Sequence, residues 1–343
     1  MPATITKPLF ILGPCSAETR EQVLLSARLI QEACGDIPFI FRAGAWKPRT
    51  CPRTFQGAGE QALTWLAEAK RTFGIKIATE VATVEHVRLA LAAGIDCLWI
   101  GARTSANPIA VQEIADEIAA SAHKPQMLFV KNPANPDAEL WIGNIERMEK
   151  TGIPVMAIHR GCDHKPCWAM AHAVRTRRPD IPMLLDPSHM SGDAEQVPAL
   201  LDKIPELGLN GAMIEIHPNP AEALSDPKQQ IATDDLQLIY ETLSRRRRDN
   251  DETNTRDEAF TLQWLRAEID ELDDRLWDTI AERMNVSKRI GEWKKEHHMT
   301  PLQPQRYQQM VQKTKHIAQV KGLSPDFAQQ LYDLIHEQSL KQQ

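Results

Sequence analysis

MLLDPSH (183–189) and AMIEIH (212–217) are short apolar runs that end in ionisable side chains, and they set the pattern for most of the chain. Six runs upstream share it: LFILG (9–13), FIFRAG (39–44), KIATEV (76–81), CLWIGA (97–102), MLFVK (127–131) and VMAIHR (155–160). Between them, segments such as 21–33, 60–72, 84–92, 109–120, 138–150 and 167–177 carry apolar residues at helical spacing. Eight strand-like runs alternating with helices predict an α/β chain wound as a (β/α)8 TIM barrel, with a doubly wound open sheet as the alternative. What ends the runs favours the barrel. Cys15 and Ser16, Arg42, Glu80, Arg103, Lys131, Arg160, Asp186 and His189, and Glu215 and His217 stand at or just past their ends. A barrel gathers the C-terminal ends of its strands on one face, where active sites are built.

The 343 residues suggest two domains, possible extension to a third aside, and 42% apolar with 25% charged residues fits a folded soluble protein. A net charge of −6 argues against a protein that coats nucleic acid or an anionic membrane. No run approaches the ~18 apolar residues that span a bilayer, and the N-terminus has too short an apolar run for an export signal. Six scattered cysteines suit a reducing cytosol, so a cytoplasmic location is expected. One composition break divides the chain. RRRRDNDETNTRDE (245–258) has no apolar side chain and reads as a helix end followed by a linker, the alternative being one continuous solvated helix. The expected domains are therefore 1–245, a linker over 246–259, and 260–343.

Sorted by chemistry, the strand-end residues fall into two sets. Arg42, Lys47, Arg49, Arg103, Lys131 and Arg160 are cations in an acidic protein, and cations crowded into one mouth call for a polyanionic ligand. Neither phosphate-binding glycine motif of nucleotide sites is present, which leaves small phosphorylated carboxylates or sugars; Glu80 and Glu85 are the alternative partners for these cations. The second set is Cys15, His189, Glu215 and Asp226. Together these donors suit a divalent transition metal better than Mg²⁺, although each alone has an ordinary explanation as a buried thiol, a loop histidine or a surface acid. The cluster CDHKPC (162–167) lacks a second cysteine pair and is weak as a zinc site.

GPCSAE (13–18), FRAGAWKPRT (41–50) with FQG (55–57), GAR (101–103), LWIGNIERM (140–148), DPSH (186–189) and MIEIHPNPAEALSD (213–226) resemble the 3-deoxy-D-arabino-heptulosonate 7-phosphate (DAHP) synthases. The likeness covers roughly residues 8–245 and is nearest the subfamily related to KDO 8-phosphate synthase. It implies condensation of phosphoenolpyruvate with erythrose 4-phosphate, assisted by one divalent metal ion per barrel, Mn²⁺ or similar. It matches Cys15, His189, Glu215 and Asp226 to metal ligands, and Arg42, Lys47, Arg103, Lys131 and Arg160 to phosphoenolpyruvate contacts. Lys47, Arg49 and Thr50 match contacts to the aldose phosphate, and either Lys131 or a metal-bound water is expected to move protons in the reaction. The KPRT segment speaks against the five-carbon aldose phosphate of the nearest rivals. Ala106 departs from the family pattern, where Gln precedes Asn.

Beyond the linker, Leu265, Ile269, Leu272, Leu276, Ile280 and Met284 recur every three or four residues and predict one long amphipathic helix. A break at Pro301 and Pro304 precedes a second helix around 305–319, and Ser324-Pro325 opens a third. Three helices in so short a tail make a small core, so the long one is expected to pack against a second copy. Arg266 and Arg283 lie about 25 Å apart along such a helix, so they can share a small ligand only if two chains interlace. LRAEIDELDDRLWDTIAERMNVSKRIGEWK (265–294), with Arg306, Ser339 and Gln343, resembles the all-helical (type II) chorismate mutases, which dimerise through intertwined helices. The resemblance implies a chorismate site of Arg266, Arg283, Lys294, Arg306, Ser339 and Gln343, with Arg283, Lys294 and Gln343 in catalytic roles. Tyr307 and Gln303 depart from that family's Glu and Asp.

The expectation is a bifunctional shikimate-pathway enzyme with phosphoenolpyruvate, erythrose 4-phosphate and chorismate or prephenate as ligands. It is expected to assemble as a homodimer or higher homo-oligomer, its helical domain also regulating the barrel. The alternative is a synthase whose helical domain serves only in assembly and ligand sensing.

Overall fold

A computed structural model describes residues 8–47, 53–236, 256–300 and 302–342. The chain forms two compact units, Met1–Glu268 and Ile269–Gln343.

In the first unit eight strands run parallel in sequence order: β1 (Leu9–Gly13), β2 (Phe39–Arg42), β3 (Lys76–Val81), β4 (Cys97–Ile100), β5 (Met127–Lys131), β6 (Val155–His159), β7 (Met183–Leu185) and β8 (Gly211–His217). β8 returns to β1 in a register running from Leu9↔Gly211 to Gly13↔Glu215, which closes the barrel. A two-residue β9 (Ile231–Ala232) continues from the end of β8. Around the barrel lie α1 (Arg20–Cys34), α2 (Glu60–Phe73), α3 (Val84–Ala92), the short α4 (Ala102–Ser105), α5 (Pro108–Ala120), α6 (Ala138–Glu149), α7 (Trp168–Arg177) and the short α8 (Pro187–Ser191), α9 (Val197–Leu201) and α10 (Lys203–Glu206).

The strands alternate between two cores because successive side chains point to opposite faces. Ile11, Ile40, Ala78, Trp99, Phe129, Ile158, Leu184 and Met213 fill the barrel interior. Their neighbours, such as Leu12, Phe41, Val130 and Ile214, pack outward under the helices. The same parity places the site. Arg42, Glu80, Lys131, Arg160, Asp186 and Glu215 each stand two residues after an interior residue, so the polar rim continues the face that forms the barrel's apolar floor.

Several runs end earlier than their apolar pattern suggests. β7 stops at Leu185, and DPSH is not strand: Asp186 caps α8, its side chain accepting from the His189 backbone N–H, with Pro187 at the first helical position. Capping chemistry overrides the apolar run there.

α11 (Arg256–Glu296) begins inside the stretch expected to be linker. Residues 246–255 of that stretch lie outside the described residues. The first turns of α11 belong to the barrel unit. Trp264 and Ala267 are buried, Trp264 packing edge-on against Trp168 and flat on His172, whose ring is hydrogen-bonded to Glu268.

The second unit contains the rest of α11 with α12 (Pro304–Val320) and α13 (Pro325–Lys341). Ser324 caps α13 by accepting from the Phe327 N–H, as the Ser-Pro pair suggests. The described residues include no helix long and apolar enough to cross a membrane.

Candidate active site

A cavity of about 230 Å³ opens at the C-terminal end of the barrel, lined by Lys47, Arg103, Lys131, Arg160, His189 and Asp226 among others. Its floor is built from buried ion pairs. Arg42 Nη2 donates to Glu215 Oε1 at 3.0 Å, and Lys131 Nζ donates to Asp186 Oδ2 at 2.6 Å. Trp99 lies beneath both cations, 4.8 Å from the Arg42 guanidinium and 5.9 Å from the Lys131 ammonium. Lys47 Nζ donates to the Cys15 carbonyl. Arg42 and Lys131 thus pair with Glu215 and Asp186 rather than with the alternative partners Glu80 and Glu85. These pairs do not exhaust the donors: Arg42 Nε and Nη1 are buried without a hydrogen-bond partner, a costly arrangement that an anionic ligand would relieve.

The second set also converges. The ligand atoms of Cys15, Glu215 and Asp226 all lie within 4.8 Å of one another, and the Cys15 thiol donates to Asp226 Oδ2 at 3.0 Å. His189 reaches the group through Glu215, its Nε2 lying 3.6 Å from Oε1. Its Nδ1 sits 2.9 Å from Asp186 Oδ2, the kind of outer hydrogen bond that orients a ligating imidazole and leaves Nε2 for a metal. Gln229 donates to the other Glu215 oxygen at 2.7 Å, and the Gln230 side chain accepts from the Cys15 N–H. A thiol, an imidazole and two carboxylates, oriented by a surrounding hydrogen-bond network, fit a divalent transition metal.

Burial and charge oppose each other throughout. Burial works against the Asp186 carboxylate, yet His189 and Lys131 hold its pKa well below the usual range. Glu215 is likewise lowered, by His189, Arg42 and Lys47, against its own burial. Burial lowers Lys131 and His189, with Asp186 opposing in both. Burial raises the Cys15 thiol, and Glu215 and Asp226 add to that.

Arg49 and Thr50 lie outside the described residues. From the sequence Asp186 reads only as a strand-end group, and Trp99 and Gln229 are not singled out. Asp186 had a readable signal, since Asp three residues before His is N-cap spacing; the roles of Trp99 and Gln229 depend on how the barrel closes.

In the helical unit the Arg283 guanidinium donates to the Ser339 hydroxyl, which itself donates to the Ile335 carbonyl at 2.8 Å. Burial lowers the pKa of His336, the Arg283 and Lys294 charges lower it further, and Asp333 opposes them. Tyr307 donates to Asp333 Oδ1 at 2.7 Å. Arg306 is exposed, Arg266 belongs to the barrel unit, and Gln343 lies outside the described residues. Within this unit the structure brings Arg283 to Ser339.

Fold and cavity define a parallel barrel with a cation-lined, acid-and-thiol-flanked pocket at the C-terminal ends of its strands. The DAHP synthetase I family matches residues 5–250, and the chain belongs to it; type II chorismate mutase matches residues 265–343. Both parts are thus those of enzymes. A phospho-2-dehydro-3-deoxyheptonate aldolase of Thermotoga maritima is 31% identical over 247 residues, covering 67% of this chain and 66% of that protein. A 2-dehydro-3-deoxyphosphooctonate aldolase of an Azoarcus species is 27% identical, covering 65% and 85%. The solved structure of the Thermotoga maritima phospho-2-dehydro-3-deoxyheptonate aldolase (DAHP synthase) superposes with a TM-score of 0.62 at 25% identity, covering 71% of this chain and 70% of that one. A truncated form of the synthase from the same organism shares the fold, with a TM-score of 0.58 at 23% identity.

Proposed function

We propose that the barrel condenses phosphoenolpyruvate with erythrose 4-phosphate and that the helical domain rearranges chorismate to prephenate. The observation that carries the first half is the pairing of two features in one cavity: a compact donor group at Cys15, Glu215 and Asp226, and buried guanidinium donors on Arg42 left without partners. Arg42, Lys47, Arg103, Lys131 and Arg160 hold phosphoenolpyruvate and balance the charge on the phosphate that leaves. Cys15, His189, Glu215 and Asp226 hold a divalent metal, which when bound acts as a Lewis acid toward the aldehyde oxygen. Lys131, joined to Asp186, holds or passes a proton at Nζ. Arg49 and Thr50 take the phosphate of the four-carbon aldose, as their place in KPRT suggests.

The mutase reaction is a rearrangement within one molecule, so charge placement and a compact bound conformer suffice. Arg283, Lys294 and Ser339 supply part of that placement; Arg266, Arg306 and Gln343 complete it across two interlaced chains. Apolar side chains support the pairing. Leu272, Leu276, Trp277, Ile290 and Trp293 of α11 and Phe327 and Leu334 of α13 are all at least two-fifths exposed, more apolar surface than a lone small domain ordinarily presents. A metabolite bound there regulates the barrel. The reading of the helical domain as a sensing module alone draws on Tyr307, whose hydroxyl is already engaged by Asp333.

The test is incubation of the full chain with phosphoenolpyruvate and erythrose 4-phosphate, before and after chelation, with chorismate consumption followed separately. Turnover lost on chelation and restored by Mn²⁺ is expected. Cys15→Ala should remove that turnover and leave chorismate conversion intact. A chelation-insensitive synthase would reject the metal site, and absence of chorismate conversion would leave the sensing module as the better reading.

A further inference from the structure

The motif CDHKPC (162–167), weak as a zinc site, has a different use in the fold. It forms the turn that follows β6. Cys162 and Lys165 exchange both backbone hydrogen bonds, at 2.9 and 3.0 Å, and the two residues between them, Asp163 and His164, have φ of +50° and +55°. Positive φ at both central positions is a type I′ turn, whose second central position is by preference glycine. A histidine occupies it here. Such seats cost conformational energy and persist where the surroundings over-determine them.

The surroundings do so. The His164 ring rests on Gly192, just past α8, so closely that a Cβ there would stand 2.5 Å from Nδ1. Gly161 is equally constrained, since a Cβ would stand 2.2 Å from the Lys165 carbonyl oxygen. The ring so placed lines the cavity on the wall that carries Arg160, whose guanidinium reaches the carbonyls of Gly161 and His189. The turn and the glycine seat together fix the imidazole on the cavity wall beside Arg160, one of the cations proposed to hold phosphoenolpyruvate.

From this geometry we infer that His164 is a binding residue for the phosphoryl group of phosphoenolpyruvate and for the inorganic phosphate it becomes, donating a ring N–H beside Arg160. The inference rests on the proposed condensation. The assays below separate it from the aldose phosphate, which the KPRT segment is proposed to take.

Three variants test it in the full-length protein. His164→Gly removes the donor and the strain together, so the melting temperature should rise while KM for phosphoenolpyruvate rises about tenfold, the scale of one hydrogen bond to a charged group. KM for erythrose 4-phosphate should stay within about twofold in the same assays. His164→Asn, which tolerates the left-handed conformation and keeps a donor, should recover most of the loss. Gly192→Ala, which displaces the ring without touching it chemically, should reproduce the phosphoenolpyruvate defect. Isothermal titration with phosphoenolpyruvate and with inorganic phosphate needs no turnover and should show the same loss for His164→Gly. If the wild-type chain fails to condense the two substrates, the reaction is wrong and the titration still decides the residue. Unchanged phosphate and phosphoenolpyruvate binding in His164→Gly, or an equal loss for both substrates, overturns the inference.

Discussion

His159 ends β6 on the outward face, between the rings of Trp141 and Trp168. Burial lowers its pKa to about 3, Arg160 adding to the shift and Asp186 opposing it. An unfolded histidine titrates near 6.5. Between those values the unfolded chain binds the extra proton, so stability is lost as pH falls from about 6.5 toward 3, by up to about 1.4 kcal/mol per unit. Urea unfolding of the wild type followed by tryptophan fluorescence should steepen in pH dependence below about 6.5, and His159→Leu should flatten it by about 1 kcal/mol per unit. Equal slopes in the two proteins would mean His159 is not the titrating group. The residue was legible in the sequence only as part of an apolar run, because what matters about it is the pair of tryptophans that other helices bring. The thiol, imidazole and carboxylates proposed to hold a metal were more legible. Cys15, His189, Glu215 and Asp226 each sit at or after a strand end, and barrel closure alone makes such ends neighbours. The buried pairings Arg42–Glu215 and Lys131–Asp186 were not, since any of several acids at the rim could have served.

α11 shows how a periodic pattern can be right about an element and silent about its face. The recurrence from Leu265 to Met284 predicts the helix, yet the side chains that dock it on the barrel are Trp264, one residue before Leu265, and Ala267, two residues after it. Leu265, Ile269, Leu272 and Leu276 are about half exposed in a single chain. Phe260 adds to the docked face by covering Gly208. Removing the large ring at its centre should be costly. Trp264→Ala is expected to destabilise the barrel unit by about 3 kcal/mol, the low end for a buried tryptophan, measured as a drop in its urea midpoint. A change under about 0.5 kcal/mol would mean the docked turn contributes nothing to barrel stability. Strand positions were read well because parity and turn residues reinforce each other; β7 was overrun because Asp186 and Pro187 convert an apolar continuation into a helix start.

For the molecule as a whole, the two units differ in how completely each hides its apolar surface. The barrel buries both its interior and its outer layer, whereas the helical unit leaves tryptophans and leucines facing water. A second copy is the economical cover. Sedimentation of the full-length protein should give at least a dimer, and Leu272→Lys combined with Leu276→Lys should shift it toward monomer. Under the proposed mutase activity chorismate conversion should fall with dimer loss, since Arg266 and Arg283 would reach one ligand only across two chains, while the proposed condensation should change less. A monomeric wild type with full mutase turnover would defeat this assembly.

The composition of the chain marks residues 246–259 as the natural place to cut it, and the course of α11 says otherwise. Severed there, a barrel fragment would surrender the segment that shields Trp168 and would expose a sticky aromatic face; severed after Glu268, it would keep its own lid. A gene dissection that keeps the helix's first turns with the barrel they pack on should yield the better-behaved fragment.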